Sequence, residues 1–185
     1  MGRIVYSMSV SLDGFVADEA GAIDWVTVDE ELHQAFNDES RTCRAFIYGR
    51  RMYELMTAYW PTAADDPDAK PVERDFAQIW AGMPKVVVST TLTEAGFGAR
   101  LIRGDAVAEL ARLRDSTDGE LGVGGPTLAA TLLRAGLVDD VRMYVNQVVL
   151  GGGLPFLPPD LRLSMRLEDV RRFSSGVVLL RYLAG

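Results

Sequence analysis

The chain has 185 residues, 48% of them hydrophobic, enough for one sizeable core in a single domain over residues 1–185. A formal net charge of −7 with no basic block argues against nucleic acid and anionic membranes as partners, and no apolar run approaches the roughly 20 residues of a membrane span. The single cysteine, Cys43, excludes an internal disulfide, no His/Cys spacing suits a metal, and a reducing cytoplasm is the simplest location.

Ile4 to Leu12 reads as a strand entering a turn at Asp13-Gly14. Thr27-x-x-Glu30 has the form of a capping box, and Leu32, Ala35 and Phe36 at helical spacing predict a helix from Asp29 to about Arg41. Arg44 to Tyr48 is a short strand. Met52, Leu55, Met56 and Tyr59 predict a second helix that Pro61 stops. Pro61 to Asp75, rich in Pro, Ala and Asp, reads as a loop with at most a helical turn before Trp80. Lys85 to Ser89 is a buried-type strand, with a further one at Ala99 to Arg103. Asp105 caps a helix carrying Val107, Leu110 and Ala111. Leu121-Gly122-Val123 is a strand ending in Gly124-Gly125. Pro126 suits a first helical position, and Gly136 ends that helix. Val141 to Leu150 alternates as a strand. Leu163 to Phe173, with Leu163, Met165 and Leu167 on one face, and Val177 to Leu183 form a hairpin around Ser174-Ser175-Gly176. Strand–helix units followed by a hairpin imply an α/β fold: a mostly parallel central sheet with helices on both faces and a C-terminal antiparallel hairpin.

Three segments share one design: an apolar strand that stops at small or hydroxyl residues. They are Phe46 to Arg51, Val87 to Thr91 and Gly122 to Thr127. In open α/β sheets ligands bind at the carboxyl ends of strands, and helix N-termini offer free N–H groups to phosphates. Arg50 and Arg51 add positive charge for a 2′-phosphate, and Ser89 and Thr90 add hydroxyls. Taken singly, Gly49 is an ordinary turn, the arginines are solvated, and the Gly124-Gly125 pair stands open between packing and phosphate contact. The coincidence of the three strand ends favours phosphate binding.

Ser9 to Ala17, Gly49 to Glu54, Gly122 to Leu128 and Leu150 to Phe156, in that order, resemble the dihydrofolate-reductase-like superfamily. Within it the chain is most similar to stand-alone relatives of the riboflavin-biosynthesis reductase domain. The resemblance implies an NADPH-dependent oxidoreductase acting on CH–NH or CH–OH groups of a small heterocycle, of pterin or aminopyrimidine type. It implies cofactor contacts at Gly49, Arg50, Arg51 and Met52, at Ser89 and Thr90, and at Gly124, Gly125, Pro126 and Thr127. Ala17 would lie near the nicotinamide, and Asp13 would face the substrate. A homodimer is the habit of the resembling group.

Hydride transfer calls for a proton, and Asp13 is the catalytic candidate, with Asp24 beside it in the loop. Asp13-Gly14 is equally the composition of a plain turn. Phe15 and Trp25 are candidates to stack on a planar substrate, though a tryptophan is more often core. His33, the only histidine, falls among polar neighbours on a predicted helix and reads as surface. The alternative to an enzyme is a nucleotide- or ligand-binding protein that keeps the fold without turnover.

Overall fold

The computed structural model describes all residues, Met1–Gly185. In chain order the elements are β1 (Arg3–Val10), β2 (Phe15–Ala17), α1 (Glu30–Thr42), β3 (Cys43–Gly49), α2 (Arg50–Ala63), α3 (Pro71–Gly82), β4 (Lys85–Val88), β5 (Arg100–Ile102), α4 (Ala106–Ser116), β6 (Glu120–Gly124), α5 (Pro126–Arg134), β7 (Asp140–Val145), β8 (Leu154–Pro155), β9 (Met165–Arg172) and β10 (Val178–Ala184). The main sheet has the order β5-β4-β3-β6-β1-β7-β10-β9. Its first six strands run parallel, and β10 is antiparallel to both β7 and β9. This is the dihydrofolate-reductase-like fold. No helix is long and apolar enough to cross a membrane.

The alternation of side chains along each strand divides the core between two faces. Ala45 and Ile47 of β3 join Ile4, Leu121 and Val123 under Leu110 of α4 and Leu132 of α5. Phe46 and Tyr48 point the other way, against Tyr53 of α2 and Phe76 and Trp80 of α3. Leu32 of α1 closes a third cluster with Tyr144, Phe173 and Leu179.

Several boundaries differ from the sequence reading for identifiable reasons. The cap of α1 is Asp29, whose carboxylate accepts from Leu32 N at 2.8 Å, so the Thr27 capping box does not form. Pro61 lies inside the last turn of α2 and the helix runs on to Ala63, because so near its end proline costs the helix little more than the one bond to the Thr57 carbonyl. The predicted loop to Asp75 gives way to α3 at Pro71. Proline occupies the first helical position, and Glu73 reaches back to the Lys70 N–H at 2.7 Å. β7 ends at Val145, and the chain from Asn146 onward turns towards β8, which pairs with β2. Leu163 precedes β9, and Leu163 and Leu167 are exposed, so the alternation there marks no buried face.

Candidate active site

Two adjacent central strands carry almost no side chains on the face covered by α1 and α2. β1 presents Ser7 and Ser9 there, and β6 presents Gly122 and Gly124, while Tyr6 and Val123 point to the opposite core. The gap left above them is a cavity of about 360 Å³. Its walls come from His33, Phe36 and Ser40 of α1, from Met52, Met56 and Trp60 of α2, and from Ile23, Val26 and Val28 in the β2–α1 loop. Most of the lining is hydrophobic, and no lysine or arginine is part of it. A volume of this order suits a small planar molecule.

Beside the cavity, β3 and β6 are hydrogen-bonded neighbours, and each passes directly into a helix. The N-caps are Gly49 for α2 and Gly125 for α5, and neither helix receives a side-chain cap. The first-turn N–H groups of both helices therefore lack side-chain partners from the protein, and both positive dipole ends open at the same edge. Gly125 has φ +102°, and a Cβ there would sit 3.4 Å from Met52 Cβ and 3.9 Å from Gly49 N, within the notch between the two helices. A Cβ on Gly124 would come within 3.1 Å of Tyr48 Cδ1 and Met52 Cγ, so that glycine is required by packing. The open choice at the glycine pair thus splits: Gly124 makes room for neighbouring side chains, and Gly125 keeps the notch between helix ends clear. Pro126, with no N–H, and exposed Thr127 open α5. Met52 both underlies the notch and lines the cavity, which joins the two sites.

Arg50 is paired with Glu54 at 3.1 Å, one turn along α2, whereas Arg51 is exposed and makes no ion pair. Ser89 is buried, and its Oγ accepts from the N–H groups of Thr91 and Leu92 at 3.2 and 3.1 Å. These bonds shape the loop after β4. Thr90 next to it is exposed.

The substrate-side candidates are displaced. Asp13 is exposed and does not line the cavity. Its carboxylate accepts from Ser11 Oγ at 2.7 Å, Leu150 N at 3.1 Å and Gly151 N at 2.7 Å. These hydrogen bonds, that of Ser11 foremost, hold its carboxyl down at about 2. Asp13 clamps the β1–β2 turn to the glycine-rich segment at 150–153. Phe15, Asp24 and Trp25 also stand outside the cavity wall, while Val16, Ile23 and Val26 form it. The Trp25 indole N–H donates to the Ala22 carbonyl at 3.3 Å. Ala17 is buried in β2 beneath Gly153, where a Cβ would collide with the Ala17 carbonyl oxygen.

Five titratable groups do line the cavity: His33, Glu39, Cys43, Tyr48 and Tyr144. Glu39 accepts from the Tyr144 hydroxyl at 2.6 Å and pairs with Arg142 at 3.2 Å, so it is a fixed carboxylate. Burial, with the charges of Glu39 and Glu120 adding to it, pushes the Cys43 thiol up to about 12 and keeps it neutral. His33, which read as surface, stands in the wall between Trp60 and Phe76, each 6.1 Å away. The signal that would have found the cavity is the small-residue alternation Ser7-Met8-Ser9 and Gly122-Val123-Gly124. On neighbouring strands it strips one face of the sheet.

The family model described as the RibD C-terminal domain matches residues 3–179. The Bacillus subtilis protein YyaP is 31% identical over 182 residues, 97% of this chain and 94% of that protein. Among solved structures, the diaminohydroxyphosphoribosylaminopyrimidine deaminase/5-amino-6-(5-phosphoribosylamino)uracil reductase of Thermotoga maritima superposes with a TM-score of 0.67 at 16% identity. The match covers 100% of this chain and 57% of that one. Dihydrofolate reductase from Enterococcus faecalis, solved with NADP(H), gives a TM-score of 0.66 at 14% identity over 99% and 96% of the two chains. With its sheet order, its paired strand–helix turns and a family match over nearly its whole length, the chain belongs to the RibD C-terminal domain family.

Proposed function

We propose that this protein is an NADPH-dependent reductase that transfers hydride to a small heterocyclic substrate held in the cavity under α1 and α2. The observation that carries the reading is the notch between two helix N-termini without side-chain caps, opening beside a cavity of about 360 Å³. Free N–H groups and two dipole ends are what a pyrophosphate requires, in a protein whose net charge of −7 would otherwise repel it. The residues present fit the group: Gly49, Gly124, Gly125, Pro126 and Thr127 would line the pyrophosphate site with Arg50 and Met52. Arg51 and Thr90 would meet the 2′-phosphate, and Ser89 would hold the Thr90 loop in place.

When bound, the cofactor supplies the hydride. The chain's own residues do the rest. Met52 and Gly124 form the passage from the phosphate notch to the cavity. The apolar walls from α2 and the β2–α1 loop exclude water from the reacting face, and Ser7 and Ser9 on the sheet offer hydroxyls that orient the ring. The NADP(H) of the E. faecalis reductase and the reductase half of the T. maritima enzyme support the assignment of cofactor and reaction class. Calorimetric titration with NADPH and NADH tests it. NADPH binding, with NADH weaker by about tenfold for the loss of charge-assisted hydrogen bonds, is expected. Equal affinities would remove the 2′-phosphate site from the proposal.

A further inference from the structure

The cavity wall contains one polar device that the proposed reductase chemistry does not use. Asn37 of α1 is fully buried, and its Nδ2 donates to the Val72 carbonyl at 2.8 Å and to the Asp75 carboxylate at 2.7 Å. Those two acceptors, both from α3, fix which end of the amide is nitrogen. The other end, Oδ1, is a buried acceptor with no hydrogen-bond partner. One turn back on the same helix, Nδ1 of His33 is also buried without a partner. No hydrogen bond joins them, and they lie one helical turn apart on α1. A buried acceptor and a buried ring nitrogen on one helix face are reconciled by a proton on Nδ1. Nε2 then carries the lone pair. It is not sealed as Nδ1 is, makes no hydrogen bond within the protein, and belongs to a residue that lines the cavity.

We propose that His33 is the cavity's recognition residue: favoured as the Nδ1–H tautomer by the buried Asn37 acceptor that Asp75 orients, it presents a bare Nε2 that selects a neutral ring compound bearing an N–H or O–H donor and disfavours an anionic one. The remaining lining agrees with this ligand class. Glu39 is a second acceptor, the serine hydroxyls can take either role, and no cation lines the wall to meet a phosphate or carboxylate. Burial keeps the imidazole below its ordinary proton affinity, aided by Lys70, while Glu73, Asp75 and Asn37 oppose it. The neutral ring is therefore the form present at neutral pH. Asn37 and Asp75 are positioning residues, acting through His33. The inference rests on the cavity being the substrate site of the proposed reductase.

The test uses the single imidazole as its own reporter. With ¹⁵N-histidine in the whole protein, Nδ1 should show a pyrrole-type shift and Nε2 a pyridine-type shift, and Asn37→Leu should mix the tautomers. Three probes share one body: naphthalene, 2-naphthol and 2-naphthoate, at neutral pH. 2-Naphthol should move the Nε2 resonance and bind about tenfold more tightly than naphthalene, the effect of one hydrogen bond to a buried acceptor. 2-Naphthoate should bind more weakly than either, and His33→Phe should abolish the preference for the hydroxyl. A proton on Nε2 in the wild-type protein, equal affinities of 2-naphthol and naphthalene, an unchanged preference in His33→Phe, or no binding by any probe would each overturn the proposal. None of these readouts involves NADPH or turnover. A protein that passes here but fails to bind NADPH would defeat the reductase reading alone.

Discussion

At Gly125 two constraints meet in one residue. Its φ of +102° is strained for any side chain, and its missing Cβ keeps the notch between α2 and α5 open. Gly125→Val should lower stability by about 1–3 kcal/mol, the cost of a strained backbone, and abolish NADPH binding in the fraction that folds. Melting curves with and without NADPH check both effects, and retention of NADPH affinity would show that the glycine only packs. Arg51 has no carboxylate partner, whereas Arg50 is paired with Glu54. Arg51→Ala should therefore weaken NADPH by about tenfold and leave NADH almost unchanged. Comparing the two nucleotides in one titration series isolates the 2′-phosphate contribution. The residue scale is also where the sequence was least legible. The surroundings of Asp13 and His33 were not legible, because an Asp-Gly turn and a lone histidine look the same whichever way their side chains point. What separates them is tertiary: the Leu150 and Gly151 N–H groups that consume Asp13, and the α3 residues that bury one side of His33.

Elements were read well where periodicity and punctuation coincide. β3, β4, β6 and α5 lie within a residue or two of their expected bounds because their apolar runs end at glycine, or at Ser89 after β4. The helix α3 was read as loop because its first turn is marked by proline and charged residues, and its apolar stripe of Phe76, Ala77 and Trp80 is short. Trp80 is 1% exposed and anchors that helix to β3 and β4. Trp80→Ala should cost about 3–5 kcal/mol, as for other large-to-small core changes. Denaturant unfolding measures it, and a loss below about 1 kcal/mol would mean that α3 contributes little to the fold. The β2–β8 pair escaped notice because two strands of three and two residues carry no alternation to detect.

Across the whole molecule, the hairpin is tied to the sheet by charge. Asp140 is fully buried and accepts from Arg3, Arg142 and Arg181 at 3.0, 2.9 and 2.7 Å. Burial pushes its carboxyl up, but the hydrogen bonds and charges of Arg181 and Arg142 outweigh that and leave it below the ordinary range. A depressed carboxylate contributes stability that is present above the unfolded value of about 4 and is lost as pH falls through the lower folded value. Asp140→Ala removes the carboxylate shared by three arginines but leaves Arg142 paired with Glu39 and Glu120, so it should cost about 1.5–3 kcal/mol at neutral pH, with a smaller difference between variant and wild type below about pH 4. Thermal melts across pH measure both. β9 is an edge strand whose residues are almost all exposed, among them Leu167 and Val170 at 50% and 53%. Such an edge invites pairing, and a homodimer by light scattering is the expected state. A monomer over a wide concentration range would leave the edge free.

The succession of strand–helix units and the strand-end glycines were legible from sequence because each is a local signal repeated. The cavity was not, because it arises from small residues on strands that are distant in the chain and adjacent in the sheet. The central claim is that the notch between α2 and α5 holds the phosphates of NADPH. Its most direct measurement is a calorimetric titration of the wild-type protein and Gly125→Val with NADPH. One NADPH per chain on the wild type and none on the folded variant is the expected result. Failure of the wild type to bind, or equal binding by both proteins, would contradict the claim.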